Sequence, residues 1–347
     1  MLFSTMIVQT TPDEGPERYD EIVEQVLLAE SLGYHRVWLT CHHFTSFSRP
    51  SSMLMLSYLA AKTTRIRLGL GVVVLPLEHP VRVAEDAAVL DHLSGGRVDL
   101  GVGRGIQPEA FQGFDVPMQD ATARHWEALE ILHKAWTHKR FSHQGRFWTV
   151  PELTVLPRPL QDPHPPIWQV GISPGSIERA AASGHHGLIG TYMNTLDEVH
   201  DDLERWRAHR QPDSGDAAGQ RLAHNELVYV AETDEQAERD ARASGLSYSR
   251  SAGETWKGHD DSSAGLPDEY DHWRGLAQRT ATLDWDDLRE NRALIGSPET
   301  VAAKVRTLAG WGVDDLIVFS SFGGMPHELT CRSLRLFADR VIPAVTE

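Results

Sequence analysis

Three stretches of the chain place polar side chains of useful chemistry just past a short apolar run. The first is Cys41-His42-His43-Phe44. An imidazole gives or takes a proton near neutral pH, so either histidine is a candidate for proton transfer. A metal is the second possibility, with His79 as a further ligand. However, neighbouring side chains diverge in an extended segment, and no nearby carboxylate has ligand spacing. A hydrogen-bonded structural histidine is the plainest alternative. The second stretch is Gly103-Arg104-Gly105. An arginine between glycines can approach an anion without hindrance, and its fork suits a phosphate; the alternative is a surface arginine in a turn. The third is Gly171-Ile172-Ser173-Pro174-Gly175-Ser176. Ser173 is placed as a helix N-cap, with Pro174 first in the helix and Ser176 in its first turn. Free N–H groups and two hydroxyls there can hold a phosphate, or form an ordinary cap. Gly69 and Gly71 lie within one apolar run and imply a bulge, a tight connection or the close approach of a flat ligand. A phosphate-bearing cofactor lying across a common mouth accounts for all of these features. No metal site is expected.

Those residues need elements to position them. Strand-like runs at residues 2–8, 36–40, 65–74 and 97–103 alternate with helical spacing, such as Ile22, Val26 and Leu27 closed by Gly33. Val83, Ala87 and Leu90 repeat the spacing, and a helix is expected over about 121–136. The second half continues with strands at 166–171, 186–190, 226–231 and 316–320. Ser297-Pro298-Glu299 opens a helix whose buried face is Val301, Val305 and Leu308. Eight strands separated by helices require parallel pairing with crossovers. The expected fold is therefore α/β, a (β/α)8 TIM barrel forming one domain over 1–347. A doubly wound sheet is the competitor, but the GxGxxG fingerprint is missing around Gly101, Gly103 and Gly105. Two insertions break the alternation, at about 141–166 and 249–291. The first is read as surface decoration. The second, with Trp256, Tyr270, Trp273 and Trp285, is read as a lid over the barrel mouth.

Composition narrows the partners. The 347 residues carry 33 basic and 49 acidic side chains, for a net charge of -16. Such a surface repels phosphate backbones and anionic lipids, so neither nucleic acid nor membrane is expected. Two cysteines build no disulfide framework. The N-terminus lacks a basic region followed by an apolar core, and the expected location is cytoplasmic.

The ordered series of motifs resembles the bacterial-luciferase-like flavin-dependent monooxygenases. It comprises His42-His43-Phe44-Thr45, Arg65 to Gly69, Leu75-Pro76 with His79-Pro80, and Ala84-Glu85. It continues through Leu90-Asp91-His92-Leu93-Ser94-Gly95-Gly96-Arg97, Gly101 to Gly105, the segment ending at Ile167, and Gly296-Ser297-Pro298-Glu299. The resemblance runs along almost the whole chain and is greatest to the flavin-dependent branch that includes the luciferase catalytic subunit. It implies that His42 is catalytic, and that Arg104 and Arg124 lie near a flavin phosphate with Ser173 and Ser176. It also implies a non-proline cis peptide at Gly71-Val72 beneath the flavin ring, with Ile106 packed on the ring.

Three departures stand out. Cys41 occupies the place where the family often carries Glu, and Gly103 the place of luciferase's reactive cysteine. Thr191-Tyr192-Met193 also differs from the luciferase pattern. Light emission is therefore not expected. The function implied is oxygenation of a small organic substrate by reduced FMN (FMNH2) and O2 through a C4a-(hydro)peroxyflavin. A separate reductase would supply the flavin to a homodimer. The alternatives are a coenzyme F420-dependent oxidoreductase on the same fold, a non-catalytic flavin-binding subunit, and a metal-dependent hydrolase using His42, His43 and His79.

Overall fold

Each apolar run becomes a strand where β-branched and leucine side chains can be buried on both faces, as a parallel sheet covered by helices requires. The computed structural model describes residues 1–8, 19–44, 51–190, 193–211, 219–257, 270, 276, 279–280 and 282–346. The strands are β1 (Leu2–Ile7), β2 (Arg36–Leu39), β3 (Arg67–Val74), β4 (Val98–Gly103), β5 (Phe141–Gln144), β6 (Thr149–Leu153), β7 (Ile167–Gly171), β8 (His186–Ile189), β9 (Leu222–Val230), β10 (Leu294–Gly296) and β11 (Asp315–Phe319). The helices that position the site are α1 (Tyr19–Ser31), α2 (Ser52–Ala60), α3 (Pro80–Ser94), α4 (Pro108–Gly113), α5 (Ala121–Thr137), α6 (Pro174–Ala182), α7 (Leu196–His209) and α8 (Asp234–Lys257). Helices Pro298–Gly310 and His327–Leu336 complete the outer layer.

Eight of the strands close a parallel barrel in the order β1-β2-β3-β4-β7-β8-β9-β11. Closure is carried by β9, which pairs with both β8 and β11, while β11 returns to β1. The open doubly wound sheet is thereby excluded. β5 and β6 form a separate antiparallel hairpin.

The barrel is filled at its N-terminal end by charge. Arg36 bonds Asp99 at 2.8 Å and Asp315 at 2.5 Å, and Arg67 reaches the same Asp99 oxygen at 2.6 Å. The Arg36 guanidinium is held between Trp38 and Trp168, at 5.1 and 4.6 Å from their rings. Ser4 and the Trp168 indole N–H donate to the two carboxylates. Burial alone would raise the Asp99 carboxyl; Arg36 and Arg67 overcome it and hold it at about 2. Above this layer the interior is mostly apolar, with Met6, Leu188, Leu227, Ile317 and Phe319, and the buried Asn225 is level with Ile317.

Four expectations change in detail. β9 begins at Leu222 rather than at residue 226, because its first half carries the buried polar residues His224 and Asn225. The three-residue β10, paired to β9, has no counterpart in the sequence reading. The segment at 141–166 is more than decoration. Glu127 accepts the backbone N–H groups of Phe147 and Trp148, and Asp91 accepts those of Leu160 and Gln161. The segment's own Trp148, Val150 and Val155 are buried. Both ends of the expected insertion at 249–291 are helical. Residues 249–257 are the last turns of α8, and Trp285 packs in the core at the start of the helical turns that end at Arg292. Trp273, Gly258 and Gly265, and with them most of the expected lid, lie outside the described residues.

Candidate active site

The C-terminal ends of the barrel strands surround a cavity of about 560 Å³. β2 ends into it with Thr40, Cys41, His42 and His43, β3 with Gly71 and Val72, and β4 with Gly103, followed by Gly105 and Ile106. Apolar walls come from Met6, Val170, Leu188 and Phe319, and α8 adds Ser247, Tyr248, Ser251 and Ala252. The peptide bond between Gly71 and Val72 is cis, beside an irregularity in the β3–β4 register between Leu70 and Val73. Gly71 faces this cavity, whereas Gly69 does not. A Cβ at Gly69 would lie 2.3 Å from Trp38 Cε3. Its closely approaching neighbour is thus a core indole, not a ligand.

His42 Nδ1 lies 3.0 Å from Gln107 Oε1. Burial pushes the ring down to about 4; the Gln107 bond raises it only partly, and His43 lowers it further. His43 is also held down by burial, with the Glu78 charge opposing. Its Nε2 lies 3.7 Å from Cys41 Sγ, and its ring meets Phe114 edge-on. At Cys41, the place where the family often carries Glu, a thiol therefore contacts the second histidine. His79 does not line the cavity. It is the residue before α3, in extended conformation. Among the described residues no group of three His, Cys, Asp or Glu side chains has metal-binding geometry.

A second, smaller cavity of about 60 Å³ shares Gly103, Gly105, Ile106, Val170 and Ile172 with the first. It is walled by Arg104, Thr122, His125, Ser173, Ser176 and Arg179. Arg104 points along the Thr122 hydroxyl at 3.4 Å, with its guanidinium 4.1 Å from the Tyr270 ring. Ser176 serves first as a capping partner. Its hydroxyl accepts the N–H groups of Ile172 and Ser173, each at 2.9 Å, and donates to the Ser173 carbonyl at 2.7 Å. His125 is bonded to Gln169 at 3.0 Å, and burial takes its ring down to about 4. Two guanidinium groups beside a nine-residue helix's N-terminus form a pocket of the sign and size for one phosphate group.

The structure thus brings together Val72, His42, Arg104, Ile106, Ser173 and Ser176. It does not bring Arg124 with them. Arg124 donates to the Pro76 carbonyl at 2.9 Å and lies over the Phe147 and Trp148 rings of the β5–β6 hairpin, lining neither cavity. Arg179 stands in the small cavity instead. Sequence reasoning missed Arg179, Thr122 and Gln107. Helical spacing holds a signal for the first: Arg179 follows Ser176 by three residues, so both share one face of α6.

Residues 1–315 match the family described as luciferase-like monooxygenase. A relative from Acinetobacter baylyi, a flavin-dependent trigonelline monooxygenase oxygenase component, is 30% identical, covering 100% of this chain and 96% of that protein. Two solved structures share the fold. The oxygenating constituent of 3,6-diketocamphane monooxygenase from Pseudomonas putida, in complex with FMN, superposes with a TM-score of 0.79 at 22% identity, over 99% of this chain and 98% of that one. The coenzyme F420-dependent tetrahydromethanopterin reductase from Methanopyrus kandleri gives 0.72 at 19% identity, over 99% and 98%.

Proposed function

Because the chain belongs to the luciferase-like monooxygenase family, we propose that it is a flavin-dependent monooxygenase that takes reduced FMN and O2 to oxygenate a small organic substrate. One observation carries this reading. A phosphate-sized cavity with two arginines opens beside a large apolar cavity that contains His42. A flavin mononucleotide has one phosphate end and one flat apolar end, so the donor set suits both.

Reduced FMN, when bound, supplies the two electrons that activate dioxygen. Arg104 and Arg179, with Ser173 at the mouth of α6, would hold the phosphate. Ile106 and the Gly71–Val72 backbone, which line the large cavity, would hold the ring. Apolar walls exclude water from the reacting centre, where stray hydrolysis and proton leakage would compete. His42, kept neutral, gives or takes the proton at the substrate. The Acinetobacter relative's name as an oxygenase component supports delivery of reduced flavin by a separate reductase.

Anaerobic titration with reduced FMN, followed by mixing with oxygenated buffer, tests the assignment. Saturable binding, with reoxidation slower than that of free flavin, is the expected result. Absence of binding overturns it. Binding of reduced F420 without oxygen consumption would assign hydride transfer instead.

A further inference from the structure

Gln107 is only 5% exposed, yet it borders the main cavity. Its backbone is fixed from both sides. Gly105 turns the chain at φ 84°, and Pro108 opens α4 immediately after Gln107. The Gln107 carbonyl accepts the N–H groups of Ala110 at 3.1 Å and Phe111 at 3.4 Å. The side chain therefore reaches His42 from a rigid base, Oε1 to Nδ1 at 3.0 Å, while its buried Nε2 has no partner among the described residues. A carbonyl oxygen accepts and never donates. A neutral imidazole has one N–H and one lone pair, and the partner of one nitrogen settles which is which.

We infer that Gln107 is a positioning residue that fixes His42 as the Nδ1–H tautomer, making Nε2 the basic nitrogen of the ring. In water imidazole side chains favour the other tautomer, so the amide reverses an intrinsic preference. The inference rests on His42 being the proton-handling group of the proposed function. His43 is the titratable neighbour that acts on it.

The test is ¹⁵N NMR of the full chain labelled at histidine, with the His42 signals assigned by their loss in His42→Gln. The expected spectrum shows a protonated Nδ1 and a pyridine-like Nε2. Gln107→Leu should move His42 toward the Nε2–H form and lower turnover roughly tenfold or more while FMN affinity holds, as for other residues that orient a functional imidazole. Gln107→Glu keeps an acceptor in place. It should retain the Nδ1–H form, a readout that a purely structural role would not set and that survives if the leucine variant misfolds, while the added charge raises the midpoint of the ring's titration. An Nε2–H tautomer in the unaltered protein overturns the inference, as does an unchanged tautomer in folded Gln107→Leu. The spectra need no cofactor and no turnover. A failed flavin assignment is therefore distinguishable from a failed tautomer assignment.

Discussion

Desolvation holds the His42 ring down at about 4, so it is uncharged across the neutral range. On the proposed function, activity that needs the neutral ring falls only as pH drops through about 4, and a pH–rate profile checks this limb. His42→Ala should abolish the limb and lower product formation roughly 10²- to 10⁴-fold, with flavin binding retained. Arg104→Ala and Arg179→Ala should each weaken FMN far more than riboflavin, by about 1.5–3 kcal/mol, the worth of a hydrogen bond to a charged group. Arg124→Ala should leave the FMN-to-riboflavin ratio unchanged; a fall like that of Arg104→Ala in paired titrations would return Arg124 to the phosphate. Helix geometry separates Arg124 from the small cavity. Residues of α5 two apart lie about 200° round the helix from one another, so Thr122 and Arg124 cannot share a face. Thr122, His125 and Trp126 do share one, and it is the face lining the small cavity. The Gln107–His42 pair was not legible, because 65 positions separate the partners and only the closed barrel joins them.

At the level of elements, the strands were readable where apolar residues run unbroken, as in β3 and β4. β9 was half hidden because His224 and Glu226, bonded at 3.2 Å, are buried as a pair outside the barrel wall. A polar pair buried within a strand has the sequence signature of a loop. At Gly69 the sequence leaves open a bulge, a tight connection or the close approach of a flat ligand, and the structure puts the Trp38 indole there. Gly69→Ala would push a methyl group into Trp38, which is fully buried and backed by Arg36. The expected cost is about 1–3 kcal/mol of stability, as for overpacking elsewhere. Urea unfolding measures it. Loss of flavin affinity without loss of stability would instead revive a ligand contact at Gly69.

For the molecule as a whole, Leu54 and Tyr58 on α2 and Val89 and Leu93 on α3 are exposed at four-residue spacing on two neighbouring helices. A homodimer through this face is the expected assembly. Leu54→Glu with Leu93→Glu should give a monomer in sedimentation; an unchanged mass places the interface elsewhere. Acid stability is a second global property. Burial puts His125 and His133 at about 4 and His185 at about 3, the last two sharing a 2.8 Å contact between Nε2 atoms. These values lie below that of an unfolded histidine, so the unfolded chain binds more protons, and stability is lost as pH falls from about 6.5 toward 4. Each such ring contributes a slope of up to about 1.4 kcal/mol per pH unit. Asp202, raised to about 6 chiefly by burial, opposes them over part of that range. Urea midpoints at pH 7, 6 and 5 should therefore decline, and His133→Gln should flatten the decline. The Arg36–Asp99–Asp315 layer adds a consequence for traffic. With the N-terminal end of the barrel shut by ions and indoles, the C-terminal mouth is the opening that the described barrel strands leave. On the proposed function cofactor and substrate share that mouth, so whichever sits deeper must arrive first and leave last.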